Sequence, residues 1–300
     1  MVRDENRLPL ALGTAQLGMP YGIANATGKP DLKHACTLVK AAWDRGIVYY
    51  DTAQAYGDSE QVLGHAFSRI QGTERARVIT KIDPSISDPV STRNSILQSL
   101  SRLNLPHLFG LLLHREEHLE DWESKWGPAL TETRSTGLVK HPGVSIYSLE
   151  GAEKALDCEG LELIQLPANL FDRRIYRSGL MARFASSGII LFIRSIFLQG
   201  LILMEPARLP PAMSLARKAL ETLDNFCREH SLDKKTFAVH YVLRRFPGAV
   251  IIIGAERLEQ VLDNCRIAEQ ELVTEQLCCL WDRAYPEDKE RLVNPSLWPI

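Results

Sequence analysis

Apolar and polar positions alternate between two patterns along the chain. Short runs rich in Leu, Ile and Val recur at residues 9–13, 47–51, 77–81, 109–114, 138–145, 161–166, 188–193 and 249–254. Continuous apolar runs of this length, bounded by turn residues, predict strands buried on both faces, as in a parallel sheet. Between them lie stretches with the period of a helix. "DLKHACTLVKAAWDRG" offers Asp31 as an N-cap and Gly46 as a stop. "DSEQVLGHAFSRI" opens on acids, which suit the positive end of a helix. "STRNSILQSLSRLN" and "LEGAEKALD" repeat the pattern, and in "KKTFAVHYVLRRFPG" the basic residues and Pro247-Gly248 mark a helix end.

Strands alternating with helices at roughly thirty-residue intervals predict an α/β fold, a (β/α)8 TIM barrel, as one domain over residues 1–300. The interval before the last strand is long, and "RLPPAMSLARKALETLDNFCREH" predicts a loop and a helix inserted there. "RLEQVLDNCRIAEQ" and "TEQLCCLWDRAY" predict C-terminal helices ahead of a proline-rich tail. The rival is a doubly wound nucleotide fold. It lacks a G-x-G-x-x-G after any strand, since "GTAQLG" at 13–18 does not fit.

Composition narrows the classes without choosing among enzymes. Apolar residues make up 45% and charged residues 24%, the balance of a soluble globular protein. A formal net charge of -2 gives no electrostatic case for nucleic acid or an anionic membrane. No stretch approaches the roughly 20 apolar residues of a membrane span. The start, "MVRDENRLPLALG", carries both signs of charge and too short an apolar run for a signal segment, so a cytoplasmic location is expected. The six cysteines form no C-x-x-C pair and read as free thiols of a reducing compartment. No His and carboxylate cluster has ligand spacing, so no metal is expected. Oligomeric state is not legible.

In a barrel of this type the strand C-termini and the loops after them form the catalytic face. "GIVYYDTAQAYGDSE" ends the second strand on Asp51 and presents Tyr56 in the loop that follows. Lys81 ends the third strand and His114 the fourth. Taken singly, each has an ordinary structural reading: a capping acid, a packed aromatic, a solvated lysine, a hydrogen-bonded imidazole. Together, on neighbouring strand ends, they point to a site. A free phenol, with a pKa near 10, is a weak acid for protonating a carbonyl oxygen. A nearby ammonium lowers that value. Lys81 is expected to supply the charge, Asp51 to orient Lys81, and His114 to hydrogen-bond the substrate oxygen. The set suits protonation of an oxyanion during carbonyl reduction by hydride, which implies a nicotinamide cofactor.

These residues and their contexts resemble the aldo-keto reductase superfamily, NAD(P)(H)-dependent (β/α)8 barrels. "RGIVYYDTAQAYGDSEQVLG" is similar to the family's second-strand signature, and "VITK" and "LLLHRE" to the contexts of its lysine and histidine. The resemblance runs from "ALGTAQLG" to "IIIGAERLEQVLDN". It implies a catalytic tetrad of Asp51, Tyr56, Lys81 and His114, with Tyr56 as general acid/base. "GVSIYS" resembles G-V-S-N, which implies Ser145 at the nicotinamide carboxamide and leaves Ile146 where an asparagine is usual. "IQLPANLFDR" implies Gln165 in the same contact, with Asn169 nearby. "IRSIFLQGLIL" resembles Y-S-P-L-A-Q-G-L-L, so Arg194 falls where many members stack an aromatic. Ser195, Phe197, Gln199 and Gly200 would then follow the pyrophosphate.

"GAERLEQVLDN" resembles the segment that clasps the adenosine phosphate, implying roles for Gly254, Ala255, Arg257, Gln260, Asp263 and Asn264. Arg257 is its one basic residue. A 2′-phosphate favours arginine, so NADP(H) is preferred and NAD(H) stays open. Substrate-pocket candidates are Gln16, Leu17, Tyr21, Tyr147 and Phe171, a mix that suits a small aldehyde, ketone or open-chain sugar, or the reverse oxidation. The alternative function is a nucleotide-sensing regulatory subunit with little turnover.

Overall fold

In a computed structural model of the chain, eight strands close into a barrel in chain order. They are β1 (Leu10–Gly13), β2 (Tyr49–Asp51), β3 (Arg77–Lys81), β4 (Leu108–Leu113), β5 (Val139–Ser145), β6 (Leu163–Pro167), β7 (Ile190–Arg194) and β8 (Val250–Gly254). Every neighbouring pair is parallel, and β1 closes on β8 with Gly13 opposite Gly254. The expected (β/α)8 barrel is the fold. The structure describes residues 8–25, 27–71, 73–286 and 289–299. Most of the charged start read above, residues 1–7, lies outside them.

Local signals account for the helices. Asp31 accepts from His34 N at 2.7 Å and caps Leu32–Asp44, and Gly46 follows at φ 86°. Asn104 ends Thr92–Leu103 in the left-handed region, at φ 53°. Asp233 caps Lys234–Arg245 through Thr236 N at 2.8 Å. The long interval before β8 holds the extra helix, Arg217–Glu229, as expected. Helices Leu258–Ala268 and Glu275–Ala284 follow β8. The strands expected at 47–51, 161–166 and 188–193 begin two residues late, and β7 runs one residue further, ending on Arg194.

Strand parity positions the site. Ala11, Ile79, Leu112, Leu163, Phe192 and Ile252 fill the barrel interior. Tyr49 sits beneath them with edge-on contacts to Phe109 and Phe192, both at 5.4 Å. Burying a side chain such as Phe192 stabilises by roughly 1.5–3 kcal/mol, so this plug closes the N-terminal end. Side chains on a strand return to the same face every second residue. Two positions beyond the interior residues stand Asp51, Lys81, His114, Gln165 and Arg194, with Gly13 and Gly254 beside them. The layer at the C-terminal mouth is therefore polar, where the layers below are apolar.

Candidate active site

A cleft of about 1420 Å³ opens over that polar layer, lined among others by Asp51, Tyr56, Lys81 and His114. Lys81 is 1% exposed, and its Nζ lies 2.7 Å from Asp51 Oδ1 and 3.0 Å from Thr52 O. Gln165 Nε2 donates to the same Asp51 oxygen at 2.7 Å. The ammonium sits 4.9 Å from the Tyr56 ring centre, and the Tyr56 and His114 rings meet edge to face with centres 6.1 Å apart. The structure thus brings together the four residues that the sequence singled out.

The loop carrying Tyr56 is fixed from beneath. Thr14 Oγ1 donates to Asp51 O at 2.8 Å, and Ser59 Oγ to Thr14 O at 3.0 Å. Ser59 Oγ also lies 2.6 Å from Thr14 Oγ1 and 2.9 Å from Thr52 Oγ1. Two glycines make the approach possible. A Cβ on Gly18 would stand 1.9 Å from Tyr56 O, and one on Gly57, at φ 58°, would stand 2.3 Å from Gly18 O. Only residues without a side chain permit backbones this close.

The electrostatics correct one expectation. Lys81 was expected to lower the Tyr56 pKa, yet burial and the nearby Asp51 hold the phenol above its usual value, with only Arg194 pulling the other way. Lys81 is held in a buried ion pair with Asp51, and the carboxylate of that pair acts on the phenol in the raising direction. Tyr56 therefore rests in the protonated form, ready to donate. His114 is pushed down to about 4, first by burial and then by Lys81 and Arg194, and is neutral near pH 7. It offers a hydrogen bond rather than a charge.

Most of the other candidates also line the cleft: Gln16, Tyr21, Ser145, Tyr147, Gln165 and Arg194 near the tetrad, then Ser195, Phe197, Gln199 and Gly200. Beyond them come Gly254, Arg257, Gln260, Asp263 and Asn264. Three do not. Leu17 is fully buried in the hydrophobic core, where the Ala15–Gly18 turn directs it. Phe171 is also fully buried, packed 6.2 Å from Trp281 and 5.1 Å from Tyr285, because Asn169 Oδ1 accepts its backbone N–H and turns the chain inward. The Ala255 side chain is 1% exposed, in the core behind β8. Asn169 itself holds the next loop, donating to Ser195 O at 3.1 Å.

That loop is wound tightly. Ser195, Leu198 and Gln199 all have positive φ, at 62°, 48° and 56°, and Gly200 has 91°. Non-glycine residues rarely accept this conformation, and clusters of it mark functional sites. Ile146, at the position where an asparagine was expected, is fully buried, and its carbonyl accepts from Arg194 Nη2 at 3.0 Å.

Some residues of the cleft were not anticipated. Lys235 also lines the cleft and binds Asp263 Oδ2 at 2.6 Å. Arg266 holds the other Asp263 oxygen at 2.6 Å. Burial alone would raise the Asp263 carboxyl, but these two cations hold it below the usual range. Asn294 and Ser296, from the segment read only as a tail, reach the mouth, as do Arg115, Glu116 and Arg174.

The mouth of the barrel thus gathers a phenol, a buried ion pair and a neutral imidazole in one cleft. Residues 9–280 match the Aldo/keto reductase family, and the chain belongs to that family of NAD(P)(H)-using oxidoreductases. It is 26% identical to a pyridoxal 4-dehydrogenase of Microbacterium luteolum, over 89% of this chain and 91% of that protein. With a D-threo-aldose 1-dehydrogenase of Pseudomonas sp it shares 25% identity, over 87% and 92%. Among solved structures, a glycerol dehydrogenase from Gluconobacter oxydans superimposes with a TM-score of 0.73 at 22% identity, covering 92% and 90%. A Klebsiella pneumoniae aldo/keto reductase crystallised with NADP and acetate gives 0.71 at 21%, covering 93% and 91%.

Proposed function

We propose that this chain catalyses NAD(P)H-dependent reduction of a small aldehyde, ketone or open-chain sugar carbonyl, or the reverse oxidation, with Tyr56 as general acid/base. The observation that carries the reading is the buried Lys81–Asp51 pair against the Tyr56 ring, with a neutral His114 beside it.

The cleft fits the cofactor at both ends. Ser145 Oγ and Gln165 Oε1 are buried without a hydrogen-bond partner at one end, and Asn264 Oδ1 at the other. Buried polar groups are seldom left unpaired, so these atoms suit a carboxamide and an adenine amino group respectively. The nicotinamide, when bound, supplies or accepts the hydride. Ser145 and Gln165 would orient its ring, the wound segment from Ser195 to Gly200 would follow the pyrophosphate, and Gly254 leaves room beside β8. Arg257 and Lys235, the latter bridged to Asp263, line the same cleft, and cations there suit a 2′-phosphate and favour NADPH over NADH.

The residues of the tetrad then divide the work. Tyr56 holds the proton at its Oη and passes it to the carbonyl oxygen as charge develops there. His114, neutral, aligns that oxygen. Asp51 holds the Lys81 ammonium 4.9 Å from the Tyr56 ring centre, and Gln165 holds Asp51 in turn. Tyr56→Phe tests the assignment, because it removes the proton donor and keeps the ring. The expected result is a loss of most turnover with NADPH binding, read by fluorescence titration, largely kept. Near-normal turnover in that variant would remove Tyr56 as the acid.

A further inference from the structure

Arg194 shares the polar layer with Asp51, Lys81 and Gln165, but the Lys81 and Gln165 donors both go to Asp51 and Arg194 is left over. Among the described residues it has no carboxylate partner. Its Nη2 donates to Ile146 O at 3.0 Å and its Nη1 to Ser195 Oγ at 3.3 Å, while its buried Nε has no partner. A guanidinium carries five N–H donors, so most remain unspent. Its carbon lies 4.2 Å from the Tyr147 ring centre. Stacking of that kind occupies one face and leaves the in-plane donors to the cleft that Arg194 lines.

The acids nearby are already engaged. Asp51 is held by Lys81, and Glu116 Oε2 accepts Tyr147 N and Ser148 N at 2.6 and 3.0 Å. Arg174, at the same mouth, is bound by Asp172 at 2.8 Å. Around His114 the field is cationic, with Lys81, Arg194 and Arg115 acting against Asp83. A partly buried guanidinium without a counter-charge is unfavourable in the free enzyme. Such a group is accounted for if its anion arrives with the substrate.

We propose that Arg194 binds an oxyanion group of the substrate, so that this enzyme prefers small aldehydes or ketones carrying a carboxylate or phosphate to neutral ones. The proposal rests on the reductase reading above and names its substrate class. Bidentate pairing of a planar guanidinium with such a group supplies both affinity and orientation. Arg194 is thereby a specificity-determining residue, distinct from the four that handle the proton.

The test compares kcat/KM with NADPH for 4-oxobutanoate against 4-oxobutanamide, and for glyceraldehyde 3-phosphate against glyceraldehyde. Wild type, Arg194→Met and Arg194→Lys are each measured. Wild type is expected to favour the charged member of at least one pair, and the responding pair identifies carboxylate or phosphate. Arg194→Met is expected to lower that charged-to-neutral ratio about 10- to 100-fold, the range for losing a charge-assisted contact, with Arg194→Lys in between. No charge preference in wild type, or an equal loss on both members, overturns the proposal. A rise in the NADPH Kd of Arg194→Met that matches the lost activity also overturns it, by assigning the residue to the cofactor.

Calorimetric titration of butyrate, butyramide and inorganic phosphate into the NADP-bound enzyme separates this idea from the reductase reading. Anion binding that disappears in Arg194→Met supports the site even if no carbonyl is turned over. Turnover of neutral aldehydes with no anion binding overturns the site and leaves the reductase reading standing.

Discussion

Replacing Gly18 with alanine should disable the enzyme from outside the set of reacting groups. The added methyl carbon would lie 1.9 Å from Tyr56 O, 2.6 Å from Ser59 N and 2.7 Å from Ser59 Cβ. Ordinary Cβ contacts do not fall below 3.0 Å, and these neighbours are mostly backbone, so no side-chain rotation relieves the clash. The loop bearing Tyr56 must retreat by about 1 Å, a misplacement that lowers rates on the order of 100-fold. That corresponds to about 2.7 kcal/mol of activation free energy. The loop cannot slide as a unit, because Ser59 ties it to Thr14 and Thr52. The proposed nicotinamide and adenine contacts come from elsewhere, on β5, β6 and the Leu258–Ala268 helix. The assay is kcat at saturating carbonyl and NADPH, paired with the NADPH Kd and a thermal melt. The expected pattern is a large fall in kcat with a much smaller change in Kd. A variant that melts like wild type and turns over within about threefold of it would refute the claim that this glycine locates the phenol.

Further expectations concern the ion pair, the phosphate end and the imidazole. Lys81→Met and Asp51→Leu should each destabilise the fold by about 3–5 kcal/mol, and the double variant by less than their sum, because each single change strands one buried charge. Additive effects in denaturant unfolding would count against a coupled pair. Lys235→Met and Arg257→Met should each raise the Kd for NADPH about 10-fold more than that for NADH; equal shifts for the two nucleotides would place the 2′-phosphate elsewhere. His114 is held at about 4 in the folded chain, below its ordinary value, so the unfolded state binds the proton first. Its contribution to stability is full above pH 6.5 and lost as pH falls toward 4. His114→Gln should therefore lose less stability than wild type across that window, and parallel curves would contradict the shift.

What the sequence disclosed followed a simple physical rule, and what it hid did not. Asp51, Lys81 and His114 stand at or just past strand ends, where apolar runs stop abruptly, so their shared face was legible. The same parity places Arg194 two residues beyond Phe192, a signal that resemblance to an aromatic position obscured. Leu17 and Phe171 lie near recognisable motifs, but nearness along the chain does not fix direction. The turn at Ala15–Gly18 and the Asn169 hydrogen bonds send both into the core. Lys235 was unreadable as a site residue because its partner Asp263 lies on the other side of β8, on a different helix. The Tyr56 acidity was not legible because it depends first on burial, which only the folded chain sets, and then on the Asp51 carboxylate beside it.

The loop after β7 has a kinetic consequence. Ser195, Leu198, Gln199 and Gly200 are bent into shape within the folded chain, and Asn169 on the preceding loop keeps the first of them there. The freedom that a flexible wrap would lose on meeting its ligand is already gone. If this loop follows the pyrophosphate as proposed, nucleotide capture would behave as a mould filling rather than a clasp shutting. Stopped-flow traces of NADPH binding should then show one phase whose rate rises linearly with nucleotide, with no slower step in which the chain closes behind it.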